Sequence, residues 1–155
     1  MLSEVFDKLS LFHDFTQEER AILSPYFLEC FLHLGSVLFE QGDPVEYLYI
    51  VVEGEVIIRF KPEDGPALIV ARIHPEGLVG WSAAIGSPKY TSSAVCTSDC
   101  QFLRIRSSDL QRLCEHYPDL GNTLLKKMAD VVADRWRNAH PQIMDLLHIG
   151  ANLPL

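Results

Sequence analysis

The chain has 155 residues, 48% of them apolar and 22% charged, with a formal net charge of −8. That length supports one domain with a core of its own. The acidic balance excludes nucleic acid and an anionic membrane surface as main partners, because both call for a basic face. No apolar run reaches the roughly 18 residues a membrane helix needs, and the opening Met1–Asp7 carries acids where a signal peptide is basic. A cytoplasmic address is the expectation.

The first twenty-odd residues read as helical, with Leu2, Val5, Phe6 and Leu9 on one face. Thr16 and Glu19 form a capping box for a second helix that runs to Pro25, with Phe15 placed to staple onto its first turn. From Tyr26 the period changes. Phe27–Leu34, Val37–Glu40, Tyr47–Val52, Glu55–Phe60, Ala67–Ile73, Thr91–Thr97 and Cys100–Arg106 read as strands, punctuated by Gly, Pro and Asp turns. Glu53-Gly54 between two of these runs predicts a hairpin with Gly at its turn. Many short strands with regular turn signals predict a barrel or sandwich.

After Arg106 the pattern turns helical. Ser107-Ser108-Asp109 is read as a cap for a helix that Pro118 interrupts. A longer helix follows, with Leu120, Leu124, Leu125, Met128, Val131 and Val132 on one apolar stripe, until Pro141 bends or ends it. Residues 143–147 are one further turn.

The Pro75–Val95 stretch is too long and too rich in small residues for a simple turn. Gly77 and Gly80 allow the backbone to turn and approach another group closely. Trp81–Ile85 has room for one short helical turn, stopped by Gly86 and Pro88, and its open amides suit an anion. Lys89 is the one cation of the stretch, and Tyr90, Thr91, Ser92 and Ser93 supply hydroxyls. A connecting loop with no ligand fits the same composition.

The four cysteines, Cys30, Cys96, Cys100 and Cys114, show no CxxC pair and read as small buried hydrophobes, with Cys96 and Cys100 across a strand bend. No pair among the six histidines has metal-ligand spacing. There is no GxSxG, P-loop or GxGxxG, and no paired carboxylates, so neither an enzyme nor a metal site is expected.

Several stretches together resemble the cyclic nucleotide-binding domain, the sensor module of the catabolite activator protein family. They are Leu11-Phe12 to Phe15-Thr16, Leu38–Asp43, Leu48–Val56 and Tyr117-Pro118-Asp119-Leu120. The resemblance covers nearly the whole chain. It implies an α+β, mainly β fold: a double-stranded β-helix or jelly-roll β-roll with N-terminal helices and a long C-terminal helix. The expected division is N-terminal helices over 1–25, a β-roll over 26–106 with a phosphate-binding cassette over 77–95, and C-terminal helices over 107–147, without a DNA-binding domain.

That family's cassette carries a Gly-Glu pair, whose acid accepts a ribose hydroxyl, and later an Arg whose fork clamps the cyclic phosphate. Here Gly80 matches, but Trp81 stands at the Glu position. Registered on the following strand, Tyr90 replaces the Arg; registered on Pro88, Lys89 does. The implied ligand-binding set is Val79, Gly80, Trp81, Ser82, Ala83, Ala84, Lys89, Tyr90, Thr91 and Ser92. Arg135 and Trp136 fall near the helix position that closes over the base, and Leu124, Met128 and Val131 fall on the seam through which two copies would pair. The resemblance implies a small-molecule sensor that signals through its C-terminal helix to a second copy or a separate output protein. Its ligand would be cAMP, cGMP or another small anion. The alternative is a degenerate cassette on a protein-interaction or dimerisation module.

Overall fold

A computed structural model describes residues 2–148, with the backbone alone at residue 3 and residues 135–148. Helix α1 (Leu2–Lys8), a 3-10 turn (Ser10–Phe12) and helix α2 (Gln17–Leu23) form the N-terminal cap. The capping box is present: Thr16 Oγ1 accepts from the Glu19 amide at 3.1 Å, and Glu19 Oε1 accepts from the Thr16 amide at 2.8 Å.

Eight strands follow: β1 (Phe27–Leu32), β2 (Val37–Phe39), β3 (Tyr47–Glu53), β4 (Val56–Phe60), β5 (Leu68–Ile73), β6 (Leu78–Val79), β7 (Ser93–Cys96) and β8 (Cys100–Arg106). They form two antiparallel four-stranded sheets in the orders β1-β8-β3-β6 and β2-β7-β4-β5. This is the expected mainly β roll. Helix α3 (Ser107–His116) and the long helix α4 (Pro118–His148) complete the chain.

Inside the first sheet β3 is buried on both faces, which is why it reads as an unbroken apolar run. Leu48, Ile50, Val52, Leu103 and Ile105 face the helices and join Phe6, Phe12, Leu113, Leu124 and Met128 in one core. Tyr49, Val51 and Phe102 face the second sheet and join Phe39, Val56, Ile58, Val79 and Tyr90 in another. An ion pair, Lys127 Nζ to Asp14 Oδ2 at 2.8 Å, ties α4 to the N-terminal cap.

Several expectations are corrected. The Glu53-Gly54 turn does not make a hairpin, because β3 pairs with β6 and β8 while β4 pairs with β5 and β7. The chain crosses between sheets there, beside the turn that joins β7 to β8. Gly54 has φ +96°, and a Cβ on it would sit 2.5 Å from the Asp99 carbonyl oxygen and 2.6 Å from Cys100 Sγ. Glycine is required by the crossing and not by a hairpin. The strand expected over 91–97 spans only Ser93–Cys96, since Thr91 and Ser92 form a bend. No side chain caps α3: the N-cap residue is Arg106, and Ser107 is already helical. Helix α4 runs through Pro141 as one element. Pro118 sits at its first position, where a missing amide costs nothing.

The structure sets the residues of the expected pairing seam against the chain's own core. Leu124 and Met128 are fully buried in their own chain's core, and Val131 is partly buried against it. The described part of the α4 stripe packs on that core, Leu124 and Met128 fully and Leu125, Val131 and Val132 in part. The outward side carries Asn122, Thr123, Lys126, Ala129 and Asp130.

Candidate functional site

The cassette begins where β6 ends. Gly80 adopts φ 85°, ψ 37°, a left-handed conformation that starts the 3-10 turn Trp81–Ala83. The Ala83 amide donates to the Gly80 carbonyl at 3.0 Å and the Ala84 amide to the Trp81 carbonyl at 2.9 Å. The turn's own bonds thus start at Ala83, and the Trp81 and Ser82 amides gain no partner within it. The close approach foreseen at Gly77 is real, for a Cβ there would lie 2.5 Å from Ile73 Cγ2. The positive φ of that turn falls instead on Glu76, at 77°. Its Oε1 accepts the Ser10 amide at 2.6 Å and also the Ser10 hydroxyl. These donors hold the Glu76 carboxyl below its usual pKa.

The return limb is zipped to residues 42–45. The Val45 amide donates to the Pro88 carbonyl at 3.1 Å, Tyr90 to Asp43 at 2.9 Å, and Gly42 to Tyr90 at 2.9 Å. An isolated bridge joins Pro44 and Lys89. Along this extended limb side chains alternate: Lys89 is exposed and Tyr90 is buried. Tyr90 therefore takes the inward position.

Its ring stacks on Phe39, with centroids 3.6 Å apart and planes 9° apart. Its hydroxyl donates to the Tyr47 carbonyl at 2.6 Å and accepts from the Tyr47 amide at 2.9 Å and the Glu46 amide at 3.2 Å. A phenol has one hydrogen to donate and two lone pairs, so this hydroxyl is saturated. Burial raises its pKa and keeps it neutral. Gly80 makes room for the stack, because a Cβ on it would lie 3.3 Å from both the Phe39 and Tyr90 rings and 3.0 Å from the Tyr47 carbonyl oxygen.

The remaining predicted residues divide by face. Val79 is fully buried between the sheets. Trp81 and Ala84 are partly buried against the helix-side core, as are Val131 and Val132 of α4, and Ala83 is part of that core. Ser82 and Ser92 are half-buried, and Thr91 is exposed. The side chains of Arg135 and Trp136 lie outside the described residues. Sequence reading missed the part played by Ser93, whose hydroxyl accepts the Gln41 amide at 2.8 Å and donates to Glu40 Oε2 at 3.3 Å. Within the run of hydroxyls Tyr90–Ser93 the sequence did not mark Ser93 as the serine that is buried on a strand.

A cleft of about 750 Å³ lies between β5, the turn after it, and α4. Val70, Ile73 and Val131 line it, with Arg72, His74 and Asp134. Arg72 and His74 already have a carboxylate beside them. Arg72 Nη1 lies 3.2 Å from Glu55 Oε1, and His74 Nε2 lies 2.8 Å from Glu55 Oε2. Thr97 Oγ1 donates to Glu55 at 2.6 Å, and that hydroxyl, followed by His74, holds the Glu55 carboxyl below its usual pKa. Among the described residues no group of three or more His, Cys, Asp and Glu side chains is arranged to hold a metal ion, and no helix is long and apolar enough to cross a membrane.

Residues 29–117 match the family model described as "Cyclic nucleotide-binding domain". A curated relative, the "Cyclic AMP receptor protein" of Thermus thermophilus, is 28% identical over 137 residues, which is 88% of this chain and 61% of that protein. A solved cyclic nucleotide-binding domain from Methylobacillus flagellatus superposes with a TM-score of 0.79 at 25% identity, covering 92% of this chain and 80% of that one. The Thermus thermophilus catabolite activator protein gives a TM-score of 0.69 at 28% identity, with coverages of 89% and 62%. The chain spans about three fifths of the length of the curated relatives it matches.

Proposed function

The chain belongs to the cyclic nucleotide-binding domain family, and we propose that it is a regulatory domain whose cassette has exchanged a charged phosphate clamp for a neutral aromatic lock. The observation that carries this reading is Tyr90. It occupies the inward position on the return limb, where the resemblance implies an arginine, and every hydrogen-bonding capacity of its hydroxyl goes to backbone. Lys89 is on the outer side and exposed, and Arg72 and His74 at the α4 cleft are paired with Glu55. Within the cassette itself, what remains for an anion is the pair of turn amides at Trp81 and Ser82; on β8 the buried Nε of Arg104 is also without a partner.

Each charge-assisted contact contributes about 1.5–3 kcal/mol. Without two of them, cyclic nucleotide binding falls by roughly 10²–10⁴-fold. The domain acts as a sensor of a small molecule that rests on the turn amides. Trp81 packs against the same core as Val131 and Val132, so a shift of the cassette is passed to α4. The role is regulatory and not catalytic, with a second copy or a separate protein receiving the signal through α4.

The saturated Tyr90 hydroxyl also favours a second reading, in which the cassette holds no ligand and the domain serves protein interaction alone. One double variant tests the position assignments on which both readings rest. Trp81→Glu with Tyr90→Arg should bind cAMP on the order of 10²–10⁴-fold more tightly than the native chain. A folded double variant with unchanged affinity would show that these positions do not face the phosphate and sugar. A native chain whose α4 fluorescence responds to no nucleotide or nucleoside phosphate would favour the interaction reading.

A further inference from the structure

A second cavity, of about 550 Å³, opens on the helix side of the cassette. The cassette forms one wall, the first turns of α3 another, and Leu125 of α4 a third. Three elements therefore meet at it whose relative positions would change whenever the cassette moves. Its volume falls within the roughly 300–1,000 Å³ of small-molecule sites.

The lining sets the class of occupant. No charged residue among those described lines it. No charged side chain there would pair with an ion leaving water, which favours an uncharged ligand. Ala84, Leu110 and Leu125 give an apolar floor, whereas Ser108 and Gln111 place a hydroxyl and an amide on one side. The chemistry matches an uncharged molecule with an apolar body and one hydrogen-bonding edge.

We propose that this cavity, where the cassette meets α3 and α4, is a second ligand site, for a small neutral amphiphile. A molecule that touches the cassette, α3 and α4 together binds best when the three are held this close. By population shift it stabilises that arrangement. It would set the resting position of the cassette independently of any anion at Trp81 and Ser82.

Cys114 also lines the cavity and is half-buried, and burial pushes its thiol pKa up. It is a built-in reporter. The experiment is alkylation of the native chain by iodoacetamide, read per cysteine by peptide mass spectrometry, over a titration of benzyl alcohol. Saturable, severalfold slowing at Cys114, with Cys30, Cys96 and Cys100 unchanged, is the expected result. Ala84→Leu fills the cavity and should abolish the protection, while Ala129→Leu on the exposed side of α4 should leave it intact. No slowing at Cys114, equal slowing at all four cysteines, or protection that survives in a folded Ala84→Leu would each overturn the proposal. Should Ala84→Leu fail to fold, the native titration decides alone. Cyclic nucleotide affinity is measured separately, so the two sites stand or fall independently.

Discussion

At Tyr90 one hydroxyl serves three backbone groups of the Glu46-Tyr47 segment, and the ring is sandwiched beside Phe39 and Gly80. Removing the hydroxyl leaves those groups without a partner, two of the three bonds being made at the buried Tyr47. Tyr90→Phe is expected to lose about 1–3 kcal/mol in urea unfolding, with little change in nucleotide affinity. A neutral stability effect would mean that water replaces the phenol and that the lock is unimportant. Gly80→Ala meets two obstacles, the φ of +85° and the Tyr47 carbonyl oxygen 3.0 Å from the new Cβ. It should unfold more readily than Tyr90→Phe and move the ring stack. Glu76 gives a pH signature. A carboxylate whose folded pKa lies below its ordinary value of 4.5 binds fewer protons folded than unfolded. Its contribution to stability is present above that ordinary value and is lost as pH falls through the lower folded one. Glu76→Gln should flatten the acid limb of the urea-midpoint profile. A variant limb that follows the native limb would remove Glu76 from the account.

Among the elements, α4 shows where pattern and structure part. Its stripe at i, i+4, i+7 and i+8 correctly announced one buried face, but periodicity does not say against what. The roll claims Leu124 and Met128, both fully buried. Met128→Ala is therefore expected to lower stability by about 2–5 kcal/mol without changing the sedimentation coefficient. Dissociation of a dimer with stability retained would restore the seam reading. The β3–β4 junction makes the same point. Glycine at a turn between two apolar runs signals positive φ, which is present, but the partner strands lie far off in sequence and local residues do not name them. The capping box at Thr16 and Glu19 and the cassette turn at Gly80 were legible because each is settled by neighbours in sequence.

Over the whole molecule, order and spacing of strands, glycines and terminal helices made the roll legible, since each local choice agrees with the same fold. The site was legible only in outline. Which of Lys89 and Tyr90 points inward depends on where the return limb pairs with residues 42–45. The pairing of Arg72 and His74 depends on Glu55, brought in from β4's approach. Both are long-range facts. The cassette turn at Gly80 thus stands beside an inward side chain, Tyr90, that is neutral and occupied. Calorimetric titration of the native chain with cAMP, and again with cGMP, tests that claim most directly. The account predicts half-saturation only in the millimolar range for both. Binding at micromolar concentration or tighter would contradict it, because Trp81 and Tyr90 would then be parts of a working cyclic nucleotide clamp.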